Sequence, residues 1–569
     1  MYKTLFQMDS VITVFFLVCV GFTLQEAVQA DTNPLLEIKY GQLRGKIVHV
    51  KETDQAVDAF LGIPFAKAPV GSLRFAPPQP VEPWNSILDA TRHPPLCLQS
   101  RESNFYFAEM YQSDIEIPPM SEDCLFLNVF TPANREKHYK FPVMVFIHGG
   151  GLVEGGAALY DGAALSAYEH VVMVSIQYRL NILGFFSTGD EHSHGNLGFL
   201  DQVAALKWVQ ENIEDFGGDP QSVTIFGESA GGVSVAAHML SPLSKNLFHR
   251  AIAESGVALM HELIFSKAED VILFRNFVAK LAGCASRYSS VIVDCLMKKT
   301  EEELITLLSN PQFPITPACV DGVFLPKHPE ELLAAKESHR VPYIIGVNNQ
   351  ECGWILPQFM NLTHVIEKMD KDTTHSILLD GPFLGIRPET VPIIIDDYFG
   401  HTEDPVEIRN KFIDLCGDHM FVVPAIKTAR YHRDSGLPVY FYEFQYRPSM
   451  FHKSLPDHVK ADHTFELIFV LGGPFREKNV MFSTPATDEE KSLSRTIMKY
   501  WANFARHGDP NGPGLVEWPA YDEEEDYLGL NLKQKSSKKL IEKRVEFWTV
   551  SLPEKIRMLQ EEKKDHTEL

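Results

Sequence analysis

The chain predicts an α/β fold with a large, mostly parallel central sheet flanked by helices, on three observations. Short unbroken apolar runs rich in β-branched residues recur along it, helical periodicity lies between them, and turn residues separate the two. The runs at residues 143–147, 171–174 and 223–226 have the composition that strands covered on both faces require. Between the last two, Leu206, Val209, Ile213 and Phe216 recur at helical spacing over 201–216, and Gly217-Gly218-Asp219-Pro220 is a stop signal. Strand, helix and strand in that order imply parallel pairing. Residues 343–347 and 439–442 are further strand candidates. Leu493, Ile497, Tyr500, Trp501 and Phe504 form one apolar stripe that packs as core, ended by Gly508-Asp509-Pro510. No internal repeat and no long Pro- or Ser-rich linker divides the chain, so residues 31–565 are expected to fold as a single domain.

Composition narrows the class of partner. At 569 residues, 45% hydrophobic and 22% charged, the chain can bury a large core and is neither disordered nor collagen-like. A formal charge of -23 repels nucleic acid and anionic membrane surfaces. Nucleic acid is therefore excluded as an expected partner.

Both termini carry address signals. The apolar run 11–22 rises only about 18 Å as a helix, too short for a hydrocarbon core of about 30 Å. With Val28-Gln29-Ala30 after it, residues 1–30 are expected to be a signal peptide; a short amino-terminal anchor is the alternative. The final residues 566–569, His-Thr-Glu-Leu, are a variant of the ER retrieval tetrapeptide. Together they predict residence in the ER lumen, with a retrieval receptor as partner and secretion as the alternative. No other segment is long enough for a membrane span.

An oxidising compartment gives the cysteines meaning. Of eight, Cys19 leaves with the signal peptide, so at least one of the other seven is unpaired. Spacing leaves connectivity open; the close pairs are Cys97 with Cys124 and Cys284 with Cys295. No Cys-x-x-Cys or His-Glu-x-x-His motif supports a metal site.

The chemistry is concentrated in two glycine-rich turns. Gly227-Glu228-Ser229-Ala230-Gly231 follows the run 223–226, and Gly-x-Ser-x-Gly after a strand is a nucleophile elbow. Serine is a weak nucleophile at neutral pH and needs a base, which in turn needs an orienting acid. His148-Gly149-Gly150-Gly151 follows the run 143–147. The N–H groups of Gly150, Gly151 and Ala230 would there form a three-donor oxyanion hole.

These motifs, with the stretches 121–128 (Ser-Glu-Asp-Cys-Leu-Phe-Leu-Asn) and 216–220 (Phe-Gly-Gly-Asp-Pro), resemble the type-B carboxylesterases, α/β-hydrolases that include the cholinesterases. The resemblance runs from about Pro34 to about Leu552. Ser255-Gly256-Val257-Ala258-Leu259 and the terminal tetrapeptide are most similar to vertebrate ER carboxylesterases of the second mammalian class. From 22 histidines and 75 carboxylates, the resemblance selects Glu351 as the acid and His463 as the base, giving the chain order Ser, Glu, His. Thr464 stands where the family commonly has glycine. His458, the nearest rival base, is expected to be a solvated loop residue, and Cys352 to serve packing.

The implied reaction is hydrolysis of carboxylic esters, including xenobiotics and extending to thioesters and amides, through an acyl-enzyme on Ser229 with no metal or organic cofactor. An unperturbed imidazole base would lose activity as pH falls through roughly 6 to 6.5. Three readings compete. A cholinesterase would hold its cationic substrate on an aromatic face, but no tryptophan lies between Cys97 and Cys124, only Phe105, Tyr106, Phe107 and Tyr111. A non-catalytic adhesion protein of this fold lacks the nucleophile and carries a membrane span. A secreted lipase is discouraged by the retrieval ending. Asn361-Leu362-Thr363 is the one N-glycosylation sequon, and the lysines at 533, 535, 538 and 539 are expected to be a solvated face.

Overall fold

The computed structural model describes residues 33–101, 117–135, 139–380, 384–451, 455–476 and 485–567. The expected signal peptide, the aromatic residues at 105–107 and 111, and the last two residues of the terminal tetrapeptide lie outside them.

An eleven-stranded sheet organises the chain. Its strands are β1 (Lys46–Val48), β2 (Val57–Pro64), β3 (Phe126–Pro132), β4 (Phe141–Ile147), β5 (Val172–Ile176), β6 (Gly218–Glu228), β7 (Arg250–Glu254), β8 (Tyr343–Asn348), β9 (Val439–Phe444), β10 (Asp526–Leu530) and β11 (Lys535–Lys538). Across the sheet the order is β1-β2-β3-β5-β4-β6-β7-β8-β9-β10-β11. Pairing is parallel from β5 through β10 and antiparallel at both margins. The two connections that reverse strand order place β4 beside both β5 and β6, and such a switch point leaves a crevice outside the carboxyl ends of the strands.

Each strand foreseen from its apolar run is present and longer than the run. All seven residues of β4 are buried. Alternate side chains feed different cores: Val143, Val145 and Ile147 join one cluster, Met144 and Phe146 the other. That division is why the strand is hydrophobic without a break. The largest departure is β6. Gly217 turns the chain at φ 82°, but Gly218 already pairs with Phe141 of β4, so the expected stop signal also opens the next strand.

The principal helices follow the same logic. The first, α1 (Leu197–Asn212), begins before the expected Asp201, because Asn196 turns at φ 56° and Leu197 and Phe199 are buried. Ile213–Phe216 continue it as a tighter 3-10 turn. Next, α2 (Ala230–Leu240) is buried along its whole length. The late apolar stripe lies on α3 (Asp488–His507), which opens with a Thr487–Glu490 capping box and closes on Gly508 at φ 73°.

Cys97 is bonded to Cys124 and Cys284 to Cys295. Cys319, Cys352 and Cys416 are unpaired and buried. Of the lysines expected on a solvated face, Lys538 meets Glu524 and Asp526, and Lys539 meets Glu542. No helix of the described residues is long and apolar enough to cross a membrane.

One buried ion pair ties α1 to the loop after β5. Arg179 donates from Nε and Nη2 to Asp201 at 2.8 and 2.7 Å, and from Nη1 to the carbonyls of Arg74 and Ala76 at 3.0 and 2.9 Å. The two side chains are 3% and 0% exposed, so removing one charge strands the other in the core. Asp201→Ala is expected to destabilise the fold by about 3–5 kcal/mol, measured as lower midpoints of thermal and urea unfolding. An unchanged midpoint would contradict this role.

Candidate active site

The functional side chains stand on loops at the carboxyl ends of neighbouring central strands. Ser229 links β6 to α2 with φ 57° and ψ -125°, a conformation a side chain tolerates only when its surroundings impose it. Its N–H donates to Glu254 O at 2.9 Å, and its carbonyl accepts from Val233 N–H at 2.9 Å. A Cβ on Gly227 would lie 2.5 Å from Ile147 O, and one on Gly231 would collide with the same oxygen. Both flanking glycines therefore let the elbow press against β4.

The loop after β4 runs beside it. The His148 ring is buried and stacks on Tyr178 with ring centroids 4.4 Å apart, while Tyr178 donates to His148 O at 2.8 Å. Gly150 has φ 97°, and a Cβ there would collide with Glu154 O. Gly150 O accepts from Val153 and Glu154 at 2.9 and 3.0 Å, whereas among the described residues the Gly150 and Gly151 N–H groups donate to no backbone carbonyl. The far end of the loop is fixed by the Gln99 amide, which bonds Gly155 O at 2.9 Å and Gly155 N–H at 3.0 Å.

Glu351 and His463 meet directly. His463 Nδ1 is 2.7 Å from Glu351 Oε2. Because the carboxylate accepts, the proton of a neutral ring sits on Nδ1 and leaves Nε2 as a base. The other Glu351 oxygen accepts from Asn348 N–H at 2.6 Å and Ser255 Oγ at 2.8 Å. Phe421 packs on the imidazole at 4.8 Å between centroids. Ser229, Gly150, Gly151 and His463 line one cavity of about 90 Å³. In this resting arrangement His463 Nε2 makes no hydrogen bond, so the Ser229 hydroxyl shares its cavity without being bonded to it.

The loops that carry Glu351 and His463 are stitched together. Asn348 Nδ2 donates to Asp462 O at 2.8 Å and to Glu466 at 2.6 Å; Gln350 N–H donates to Ala461 O at 3.1 Å, and Lys460 N–H to Gln350 Oε1 at 2.7 Å. The Asp462 carboxylate accepts three amides, from Gly353, Trp354 and Ile355, at 2.7 to 3.0 Å. His458, expected in solvent, is half-buried and gives its carbonyl to Gln350 Nε2 at 3.1 Å. Cys352 is buried and meets the Cys416 thiol. Thr464, at the position where the family commonly has glycine, has φ 73°, so a β-branched residue holds a left-handed turn beside His463.

Residues that sequence reasoning passed over complete the electrostatics. Glu228 Oε1 lies 3.1 Å from His463 Nε2, with both side chains buried. Burial would lower the imidazole, but Glu228 and then Glu351 outweigh it and push His463 up to about 9. Burial also drives Glu228 well above the usual carboxylate range, against the pull of His463. Glu254 is raised in the same way, and Glu466 is pushed up to about 7 by burial and the nearby Glu351. Ser255, Asn348 and Asp462 act as orienting partners. The available signal was adjacency, since Glu228 directly precedes Ser229 and Asp462 directly precedes His463.

This constellation defines a buried acid–imidazole pair facing a serine elbow and a ring of bare amides, the equipment for acyl transfer. A family model described as the carboxylesterase family matches residues 32–548. The chain belongs to the carboxylesterase family, its fold is the α/β-hydrolase fold, and it is a hydrolase of carboxylic esters. It is 50% identical over 535 residues to rat carboxylesterase 1D, covering 91% of this chain and 93% of that one. It is 49% identical to a duck medium-chain fatty acyl-CoA hydrolase precursor, covering 95% and 96%. It is 47% identical to the mouse pyrethroid hydrolase Ces2a, covering 95% of each.

For His463 as the expected base, the acid limb moves up from the expected region near pH 6 to 6.5, because the carboxylates around the ring favour imidazolium. The limb is expected above 6.5. Glu228→Gln removes a charge that raises the imidazole, so it should move the acid limb of the kcat/KM–pH profile to lower pH. A limb that stays in place or moves upward would contradict the assigned coupling.

Proposed function

We propose that Ser229 is the nucleophile, His463 the general base and Glu351 the orienting acid of this esterase, with Gly150, Gly151 and Ala230 as oxyanion donors. The reading rests on the 2.7 Å contact between His463 Nδ1 and Glu351 in the cavity that Ser229 lines. His463 Nε2 takes the Ser229 proton as Oγ attacks the ester carbonyl. The carbonyl oxygen gains negative charge and receives hydrogen bonds from the glycine-loop amides and the first amide of α2. Collapse of this intermediate breaks the bond to the alcohol oxygen, to which His463 returns the proton. Water then attacks the acyl-enzyme, giving its proton to His463, and the carboxylic acid leaves as Ser229 is reprotonated.

Carboxylic esters, xenobiotic esters among them, are the proposed substrates. Thioesters and amides follow from the same acyl-enzyme, and the duck relative's name is consistent with a thioester. The His-Thr-Glu-Leu ending, the apolar amino-terminal segment and the two disulfides support residence in the ER lumen, through a retrieval receptor and a cleaved signal peptide; secretion is the alternative. Asn361 is exposed, which supports a glycan at that sequon.

Ser229→Ala is expected to unfold at the wild-type midpoint or above, because it relieves no contact in the core, while hydrolysis of a simple aryl ester falls by at least about 10⁴-fold. Hydrolysis within tenfold of wild type by a purified, folded variant would remove Ser229 from the reaction.

A further inference from the structure

Two of the free thiols meet beside the catalytic pair. Cys352 directly follows Glu351, and Cys416 lies in the last turn of the helix Pro405–Gly417, where the two side chains come into contact. Both are buried, at 1% and 0% exposure. The backbones next to them touch as well. A Cβ placed on Gly417 would stand 3.5 Å from Glu351 Cβ, and the Cβ atoms of disulfide-bonded residues stand about 3.5–4.5 Å apart, so the two segments run within the approach that a disulfide requires. Cys319, the third free thiol, instead donates to His194 O at 3.6 Å.

A bond between these sulfurs would join two parts of the site. Gly417 leads into the π-turn Asp418–Val422, which brings Met420 and Phe421 to the cavity wall, and Phe421 packs on the His463 ring at 4.8 Å between centroids. On the other side, Glu351 holds His463 Nδ1 at 2.7 Å while the thiols are free. Sulfurs in contact must close to about 2.0 Å to bond. The interior around them is close-packed and offers no slack to absorb that movement. Glu351, one residue from Cys352 and already against Gly417, therefore shifts relative to the imidazole. A misplacement of about 1 Å can cost about 100-fold in rate.

We propose that Cys352 and Cys416 form an oxidative modification site: a peroxide closes them into a disulfide that displaces Glu351 and slows hydrolysis, and a dithiol reopens it. One sulfur attacks a peroxide oxygen and becomes a sulfenic acid as the first water leaves; the second sulfur then displaces the hydroxyl as the second water. Each sulfur gives up one electron and one proton, and the peroxide takes up both pairs. Burial, the Cys416 thiol and the neighbouring Asp462 and Glu351 hold the Cys352 thiol well above its ordinary range, so the pair resists a low oxidant load and reacts through local opening of the wall. The effect on rate rests on the proposed role of Glu351 as orienting acid.

The test splits the full-length enzyme between hydrogen peroxide and dithiothreitol, measures hydrolysis of a simple aryl ester on each portion, then denatures, alkylates and maps the cysteines by mass spectrometry. Peroxide should link Cys352 to Cys416, leave Cys319 open to alkylation, and lower kcat by at least about tenfold at full linkage, in proportion to the fraction linked. Dithiothreitol added afterwards should restore the rate. That reversal separates the bond from oxidation of Met260 or Met420, which also line the cavity but need a reductase for repair. Under the same peroxide Cys416→Ala should lose less than about twofold. Should that variant fail to fold, the proportion between linkage and lost rate in the wild type decides. Thiols that both remain open to alkylation after peroxide, or that pair with Cys319, overturn the inference. So does full linkage with kcat unchanged in an enzyme that Glu351→Gln inactivates. A Glu351→Gln enzyme within tenfold of wild type would instead overturn the role assigned to Glu351, so the two failures are distinguishable.

Discussion

The buried contact between His463 and Glu351 is the constraint around which the rest of the structure is arranged. An imidazole enclosed this deeply would ordinarily lose its ability to carry charge. In the proposed mechanism it accepts a proton twice per turnover, and the fold compensates with carboxylates: Glu351 on Nδ1 at 2.7 Å and Glu228 near Nε2 at 3.1 Å. Glu351 is itself buried and needs donors, which the Ser255 hydroxyl and the Asn348 N–H supply. Glu228 relieves its burial by favouring a proton, and every proton it takes weakens its hold on the imidazole. Base strength at the site is thus set by a small group of acids acting together.

Sheet topology brings these groups within reach. Because β4 lies between β5 and β6, the glycine loop and the serine elbow emerge side by side, with Ile147 opposite Gly227. Glu351 follows β8 and His463 follows β9, two strands paired in parallel over residues 343–348 and 439–444. Their loops therefore leave the sheet together and can be sewn by hydrogen bonds over more than a hundred residues of intervening chain. The helix α3 contributes from below: Trp501 donates to Glu254 at 3.0 Å, anchoring the strand end whose carbonyl receives the Ser229 N–H.

Much of this was legible in the amino-acid sequence because its causes are local. Unbroken apolar runs announce strands buried on two faces, and glycines at 227 and 231 announce a turn pressed against a neighbouring backbone. Glu351 and His463 were reachable only through resemblance to a family, since nothing local distinguishes them from 22 histidines and 75 carboxylates. Glu228, Asp462 and Ser255 were missed because their roles arise from distance in space. The pH expectation drawn from an isolated imidazole was displaced for the same reason, as it took no account of acids packed around the ring. The early start of α1 and the opening of β6 at Gly218 show the limit of reading glycine and asparagine as punctuation alone.

The most direct test of the central claim is a crystal structure of the enzyme after reaction with an alkyl fluorophosphonate. The account predicts phosphorus bonded to Ser229 Oγ, its non-ester oxygen within about 3.1 Å of the Gly150, Gly151 and Ala230 nitrogens, and His463 still paired with Glu351. An adduct on another residue, or a phosphoryl oxygen directed away from the glycine loop, would contradict it.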